Sequence, residues 1–398
     1  MAIKKAGRFL LCYMKKATAL NAVAWCLIAL SVSLTLSEAV ADDSCPFGQR
    51  QRVAVFQAGS FADFQRVFRQ TALVLQKDGY IKRDAPLNPD FTHDAPGAYV
   101  ALSETSAGGC IEFVRDGLYD GAWDQSRIDA QERALRKRIQ ERGDIDMVWA
   151  LGTVAGQRLS DSSLKTAVLV MTATDPESAG IVGPGEFSDK PFVHAQKERE
   201  RYRSELKMFY QIFHFKRLGI IIDDEESNHA GQAVPVIREV AEECGFALNT
   251  CQKDVVGNDA ETAHAAFSQC CQELAAISDA VYIPNGMGAD LNSLYAQIKP
   301  LLDAKIPTFS QTGAAEVENG VLLSLSDSEL RSSGRFEAQV VKQILAGKKP
   351  EEISQYYYAP LNLALNLHTA KLIEWKPDFD VLMAVDRVYQ NIGSMLAR

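Results

Sequence analysis

The chain has 398 residues, of which 47% are hydrophobic and 23% are charged, so it is long enough to form two domains with separate cores. Its 51 Asp and Glu residues outnumber 42 Lys and Arg residues, which gives a formal net charge of −9. Such an acidic chain is poorly suited to bind nucleic acid or an anionic membrane surface.

The first 41 residues predict a secretory signal peptide. An uncharged stretch, residues 17–36, follows a basic segment that contains five Lys and Arg residues, and Ala39-Val40-Ala41 then provides an A-x-A cleavage site. The alternative is a membrane anchor, because a bilayer is spanned by ~20 apolar residues. The polar residues of the stretch and the cleavage site favour removal, with Met1 or Met14 as the start. We therefore expect the mature protein in the periplasm.

Six cysteines follow the cleavage site. An even number in an exported protein favours disulfides, and we expect them to form within each half of the chain. Buried free thiols are the alternative, and the spacing fits no zinc site. These residues are Cys45, Cys110, Cys244, Cys251, Cys270 and Cys271.

Strand-like and helix-like segments alternate after the signal peptide, which predicts an α/β fold with parallel sheets. In the first half, helices are expected at residues 61–78 and 125–141, and residues 81–109 are expected to be irregular because they are rich in Pro, Gly, Asp and Ser. The predicted strands of this half are residues 52–56, 111–114, 146–151 and 166–171.

The alternation restarts after a Pro- and Gly-containing stretch, residues 177–191. Helices are predicted at residues 232–243, 260–276 and 291–304. The strands of this half are predicted at residues 218–222, 247–255, 280–283 and 306–309. The tail adds strands at 321–325 and 356–365 and helices at 329–346 and 379–391, which are expected to return and complete both sheets.

The ordered segments resemble the bacterial ABC-transporter substrate-binding proteins related to the tryptophan-binding group. The resemblance extends over residues 50–392 and omits residues 82–109. It is carried by RVAVFQAG, IDMVWALGTVAGQ, VLVMTATDPESAGIV, KRLGIIIDDEESN, SDAVYIPN, KIPTFSQ, GVLLSLSDSELRSSGRFEAQVVKQILAGKKPEEI and LALNLHTAKLIEWKPDFDVLMAVDRV. It implies a type I periplasmic-binding fold, with two Rossmann-like doubly wound lobes joined by several crossovers.

The lobe boundaries follow from the same resemblance. The first lobe is expected to comprise residues 50–190 with about 326–365. The second is expected to comprise residues 205–325 with about 366–392.

Ligands of parallel sheets bind beyond the carboxyl ends of the strands, so the loops there supply the candidate site. Thr153 caps a helix or contacts the ligand, and Asp175 starts a turn or accepts from an ammonium group. The first lobe's candidates are Gln57, Ser60, Gly152, Thr153, Thr172, Thr174 and Asp175.

The second lobe offers Glu226, Ser227, Asn285, Gln311 and Asp327. The acidic run at 223–226 is equally readable as a solvated loop, and Asp327 as a helix cap. At 284–285 the family pattern usually has a Thr-Asp pair that holds an amine, whereas this chain has Pro284-Asn285. The neutral amide weakens the case for an α-amino ligand.

Two further features are open to two interpretations. Trp149 and the tyrosines at 356–358 either stack on an aromatic ligand or pack in the core. The sequence contains no H-E-x-x-H, G-x-S-x-G or phosphate-loop motif, so we expect no enzyme activity, no metal and no cofactor.

The predicted function is the extracytoplasmic receptor of an ABC importer, which binds a small polar organic ligand by hinge closure. The ligand is an amino acid or a related carboxylate in the simplest case. The partners are that ligand and an ABC permease, and the protein is expected to be a monomer. The alternatives are a periplasmic module that signals to a sensor kinase or chemoreceptor, and a secreted α/β hydrolase.

Overall fold

The computed structural model describes residues 45–393, apart from 83–86, 88–94, 162, 199, 256–258, 326–329 and 359–361. The predicted signal peptide and Asp327 therefore lie outside the described residues. The chain divides into two units, Met1–Cys45 and Pro46–Arg398. Cys45 alone is described in the first unit, so the fold below is that of the second.

The first sheet has five strands in the order β2-β1-β3-β4-β5. All neighbouring strands are parallel. Its central strands are buried on both faces, as expected for a parallel sheet that is covered by helices. The five strands are β1 (Gln51–Gln57), β2 (Ile111–Asp120), β3 (Met147–Leu151), β4 (Ala167–Met171) and β5 (Val193–Ala195).

The second sheet has seven strands in the order β12-β11-β10-β9-β8-β6-β7. Its pairs are parallel except β10 with β11, which are antiparallel. The seven strands are β6 (Arg217–Asp223), β7 (Ala247–Lys253), β8 (Ala280–Ile283), β9 (Thr308–Ser310), β10 (Leu323–Leu325), β11 (Leu363–Asn366) and β12 (Val385–Tyr389).

Helices connect most of these strands. The first half contains α1 (Ala62–Lys77), α2 (Ala95–Thr105), α3 (Gln125–Arg142), α4 (Thr153–Leu159) and α5 (Arg201–Phe213). The second half contains α6 (Val234–Cys244), α7 (Ala260–Ala275), α8 (Leu294–Asp303), α9 (Ala314–Glu318), α10 (Arg331–Leu345), α11 (Leu367–Leu372) and α12 (Phe379–Ala384). Short 3-10 helices occupy Glu226–Gln232 and Pro350–Glu352. This α/β architecture with parallel sheets confirms the predicted fold class.

Each sheet has its own aromatic packing. In the first, Trp149 is fully buried and meets Phe68 and Phe113 edge-on, with ring centroids 5.7 and 5.3 Å away. In the second, Phe309 stacks on Tyr282 at 5.7 Å. Trp149 is therefore a core residue.

The chain segments that cross between the two sheets lie next to each other. The amide of Lys197 donates to the carbonyl of Gln355 at 2.8 Å, and the amide of Tyr357 donates back to the carbonyl of Lys197 at 3.0 Å. Helix α10, although late in the chain, packs on α1 of the first sheet: a Cβ at Gly334 would lie 2.4 Å from the Cβ of Gln70. Both observations describe crossovers close to the first sheet.

Three predicted segments are wrong in whole or in part. Of the strand predicted at residues 356–365, only the end forms β11, and Tyr356 makes an isolated bridge with Lys197. Residues 379–391 form helix α12 only as far as Ala384 and then strand β12, because Val388 pairs with Leu365 at the sheet edge. The segment 81–109, expected to be irregular, contains helix α2. Its Tyr99 and Leu102 are buried, and the Tyr99 hydroxyl donates to the carbonyl of Val114 at 2.7 Å.

The cysteines divide into bonded and free thiols. Cys251 on β7 and Cys270 on α7 form a disulfide, which agrees with pairing inside the second half. Cys45 and Cys110 are also disulfide-bonded cysteines, whereas Cys244 and Cys271 are free. In the part of the chain that the structure describes, no helix is long and apolar enough to cross a bilayer.

Candidate functional site

A cavity of about 440 Å³ lies at the carboxyl ends of strands from both sheets. Residues that follow β1, β3 and β4 line it from the first sheet, and residues that follow β6, β7 and β8 line it from the second. This is where parallel α/β sheets place their ligands, because loops and helix starts converge there.

Three aromatic side chains that follow strands of the first sheet line the cavity. They form an aromatic wall, which comprises Phe61, Phe64 and Trp123. The centroid of Phe64 lies 5.4 Å from that of Phe61 and 6.4 Å from that of Trp123. The indole Nε1 of Trp123 donates to the carbonyl of Ser60 at 3.1 Å, which fixes the ring orientation.

Two glycines make room for the aromatic wall. A Cβ at Gly59 would lie 2.5 Å from the Trp123 ring. A Cβ at Gly152 would lie 2.2 Å from Phe64 Cζ, and Gly152 also has φ of +89° and ψ of 171°, a region that only glycine adopts readily. These positions therefore require glycine for the rings to pack.

Hydroxyl groups cover the ends of β3 and β4. Thr153 Oγ1 accepts from the amide of Thr174 at 3.3 Å, and Thr174 hydrogen-bonds with Tyr202. Thr172 has φ of +64°, and its Oγ1 donates to the carbonyl of Met171 at 2.6 Å. The three threonines therefore take part in an ordered polar edge of the cavity.

Three amide side chains of the second sheet form an amide wall, which comprises Asn228, Gln232 and Asn285. Asn228 Nδ2 donates to Asp223 at 2.8 Å, and the amide of Asp223 donates to Gln232 Oε1 at 3.1 Å. Asn285 Oδ1 accepts from Thr312 Oγ1 at 2.8 Å. Each amide is thus oriented by a neighbour before any ligand binds.

A charged cluster, comprising Asp63, Glu198, Arg201 and Glu205, lies where α1 and α5 begin. Arg201 Nε donates to Glu205 at 2.9 Å and Nη1 donates to Glu198 at 3.0 Å. Arg201 Nη2 donates to the carbonyl of Gln311 at 3.2 Å, on the side of the second sheet. Asp63, Glu198 and Arg201 line the cavity itself.

Burial governs the protonation of this cluster. Burial raises the pKa of Glu205 to about 7, although Arg201 opposes the shift. Burial also raises the pKa of the Asp63 carboxyl, against the influence of Arg66 and Arg201. Burial disfavours the charge of Arg201, but Glu198, Tyr202 and Glu205 outweigh it and hold the pKa of Arg201 above its ordinary value.

Four of the proposed site residues line the cavity: Thr153, Thr172, Thr174 and Asn285. Gln57 is buried and donates to Asp120 at 2.9 Å, and the amide of Asn285 donates to the buried Gln311 at 3.0 Å. Gly152 lies behind the Phe64 ring, and Ser60 presents its carbonyl to Trp123. The cavity lining is therefore supported from behind by Gln57, Ser60, Gly152 and Gln311.

The remaining proposed residues lie elsewhere. Asp175 accepts from the amide of Ser178 at 3.0 Å, as its turn interpretation predicts, and lines a second cavity of about 310 Å³. Glu226 and Ser227 belong to the 3-10 helix after β6. Asp327 lies outside the described residues.

Sequence reasoning missed the residues that give the cavity its rings and charges. Trp123 follows β2, and its amide donates to the carbonyl of Ala58, just after β1, at 2.8 Å. Asp63 lies in the predicted helix 61–78, and Glu198 and Arg201 follow the Pro- and Gly-containing stretch at 177–191, so none of the three was placed in the site. Tyr202 was also missed.

Among the described residues, three acidic side chains form a group with the spacing of metal ligands. Carboxylate oxygens of Asp223, Asp224 and Asp254 lie within 4.8 Å of one another. The Asp223 carboxylate already accepts from Asn228 and from the amides of Glu225 and Val255. These contacts give it a structural role in holding the segment that carries Asn228 and Gln232.

Comparison with known proteins gives a family and a fold. A family model for ABC transporter substrate binding proteins matches residues 118–384, more than half of the chain. The ABC domain from Streptococcus pneumonia in complex with L-Trp has a TM-score of 0.60 at 17% identity, with 85% of this chain and 100% of that chain covered. No curated protein matches the sequence.

Two more solved structures share the fold. A conserved domain protein from Vibrio cholerae O1 biovar El Tor has a TM-score of 0.63 at 18% identity, covering 85% of this chain and 100% of its own. The ligand-free, open structure of a Clostridium difficile substrate binding protein with adhesive properties has a TM-score of 0.56 at 14% identity, covering 86% and 100%.

Proposed function

The chain belongs to the ABC transporter substrate-binding protein family and has the type I periplasmic-binding fold, and from this premise we propose that it is the extracytoplasmic solute receptor of an ABC importer. It binds a small polar organic molecule in the cavity between its two sheets and delivers that molecule to a membrane permease. The protein itself performs no catalysis.

The cavity is the observation that carries this proposal. Its volume of about 440 Å³ fits a small molecule, and aromatic rings with a few oriented polar groups are typical of such sites. The amides and hydroxyls that line it are held by protein neighbours, so a ligand meets groups that are already oriented. Preorganisation of this kind reduces the entropy lost on binding.

Hinge closure is the second part of the proposal. The two sides approach each other at Gly231, where a Cβ would lie 3.7 Å from Thr153 Oγ1. The adjacent crossovers at Lys197 and Gln355 provide a narrow connection about which the sheets can rotate. A ligand that contacts both walls would favour the closed form, to the extent of its differential affinity for that form.

The binding step is tested by a thermal-shift screen of organic solutes on the mature protein, followed by fluorescence titration. A solute at 100 times its Kd should stabilise the protein by about 2.7 kcal/mol. Binding should also change Trp123 emission, because the indole lines the cavity.

Matched tryptophan variants locate the bound solute. Trp123→Phe should abolish the fluorescence change. Trp375→Phe should retain it, because Trp375 packs on Phe213 at 4.8 Å in the second core. A signal that persists in Trp123→Phe and disappears in Trp375→Phe would contradict binding in this cavity.

A further inference from the structure

The charged side chains that face the cavity differ in how free they are to bind a ligand. Its described lining contains two carboxylates, Asp63 and Glu198, one guanidinium, Arg201, and one imidazole, His264 on α7. Which of these groups a ligand can engage depends on the contacts that each already makes.

Arg201 is committed to protein acceptors through every guanidinium nitrogen. Its Nε and Nη1 pair with Glu205 and Glu198, and its Nη2 donates to the carbonyl of Gln311. Two N–H groups, one on Nη1 and one on Nη2, remain for a ligand. A ligand carboxylate there would meet Glu198 and Glu205, which already compensate the Arg201 charge in ion pairs whose side chains are at most 14% exposed. Arg201 therefore attracts a ligand carboxylate less than an unpaired arginine would.

Asp63 is more exposed than the ion pairs of Arg201. Its side chain is 20% exposed, and Oδ1 accepts from Arg66 Nη1 at 3.0 Å. Burial raises the pKa of Asp63, although Arg66 and Arg201 oppose the shift. A ligand cation beside the carboxylate would add to these two charges and favour the charged form of Asp63.

The first turn of α1 offers a ligand anion little compensation. Backbone N–H groups at a helix start attract anions, but Asp63 already occupies this turn and complements the helix dipole. Helix α4, whose Thr153 and Val154 also line the cavity, has only seven residues.

Two residues of the aromatic wall lie next to Asp63 in the sequence, since Phe61 precedes it by two positions and Phe64 follows it directly. Phe61, Phe64, Trp123 and Tyr202 all contribute to the lining. Aromatic faces attract organic cations, and the attraction increases when the cation is removed from water. The same rings also provide contact area for an apolar body.

We propose that the cavity selects organic cations, namely amines with an apolar body, over carboxylates and over amino-acid zwitterions. The inference rests on the proposed function and specifies its substrate class. Asp63 binds the ammonium group, and the aromatic wall contacts the rest of the molecule. Asp63 supplies the carboxylate that the sequence lacks at Pro284-Asn285.

Three compounds with one phenethyl frame test the inference by calorimetry on the mature wild-type protein. They are 2-phenylethylamine, phenylalanine and 3-phenylpropanoate, which carry a cation, a zwitterion and an anion. The amine should bind at least 10-fold more tightly than either of the others. Equal or tighter binding of phenylalanine or phenylpropanoate would overturn the inference, and so would the absence of binding by all three.

Variants assign the selectivity to Asp63. Asp63→Asn should weaken 2-phenylethylamine binding about 10-fold and leave binding of the uncharged 2-phenylethanol unchanged. Asp303→Asn, an exposed substitution on α8, is the control and should alter neither compound's affinity. An equal loss for amine and alcohol in Asp63→Asn would assign Asp63 a merely structural role and contradict the inference.

This experiment separates the inference from the proposed function. If the solute screen yields a carboxylate that changes Trp123 emission, the protein is still a solute receptor and only the cation preference is wrong. If the screen locates binding away from Trp123, the proposed site and the inference are both wrong.

Discussion

The two sides of the cavity differ in chemistry and in packing. The aromatic wall comes from the first sheet and rests on Gly59 and Gly152, where a Cβ would collide with the rings. The amide wall comes from the second sheet, and beside it Gly286 has nothing within 4 Å of its ideal Cβ. The rings of the first side are therefore tightly packed, whereas the chain at Gly286, beside the amide wall, is open.

This difference suggests a division of labour. Rings fixed by close packing give contact area at low entropic cost, while the oriented amides offer their remaining donors and acceptors to the polar groups of a solute. The charged cluster lies at the crossover from the first sheet to the second, with Tyr282 of β8 donating to Glu205 at 2.9 Å. The proposed charge recognition and the proposed closure would therefore involve the same region of the chain.

The largest expected effect is the loss of stability when a methyl group is added beneath the aromatic wall. Gly152→Ala should lower the free energy of unfolding by about 4 kcal/mol, because backbone strain and displacement of Phe64 add. Urea denaturation provides the measurement.

Gly286→Ala is the matched control for the open side. Gly286 also has a positive φ, +75°, but its Cβ would meet no atom within 4 Å. It should cost about 1 kcal/mol, from strain alone. Equal losses in the two variants would contradict the contrast between the walls.

The charged cluster predicts a pH dependence of stability. The pKa of Glu205 is raised to about 7 in the folded state, from 4.5, so the folded protein holds this proton more tightly than the unfolded chain. Its contribution to stability is complete below pH ~4.5 and is lost as the pH rises through ~7. Between pH 5 and 7.5 the loss should be about 2 kcal/mol.

Glu205→Gln isolates this contribution, because the amide cannot ionise. As the pH rises from 5 to 7.5, the unfolding free energy of the wild type should fall by about 2 kcal/mol more than that of the variant. A difference that does not vary between pH 5 and 7.5 would show that Glu205 does not titrate as described.

The smallest expected effect concerns the hydroxyl edge. Thr153→Ala should weaken binding of a solute identified by the screen about 5-fold, since a neutral hydrogen bond contributes roughly 1 kcal/mol. The melting temperature of the free protein should change little, because the hydrogen bond to Thr174 is long at 3.3 Å. Unchanged affinity in calorimetry would remove Thr153 from the site.

The fold could be predicted from the sequence because apolar strands such as β3 and β8 alternate with amphipathic helices. Errors occurred where local composition was ambiguous. Residues 385–389 extend a helical pattern, and only pairing with β11 makes them a strand. Helix α2 lies in a segment whose Pro and Gly content predicts irregular chain.

The site could be predicted only in part. Thr153, Thr172, Thr174 and Asn285 directly follow strands, so the rule for parallel sheets identifies them. Trp123, Asp63 and Arg201 reach the cavity through tertiary packing. Their positions depend on how α1, the β2–α3 turn and the crossover assemble, which spacing along the chain does not encode.

The central claim is that a solute binds between the aromatic wall and the amide wall. A crystal structure of the mature protein with the best solute from the screen tests this most directly. The account predicts density for the solute in contact with Trp123 on one side and Asn285 on the other. Density at another surface, with this cavity occupied by the protein's own side chains, would contradict it.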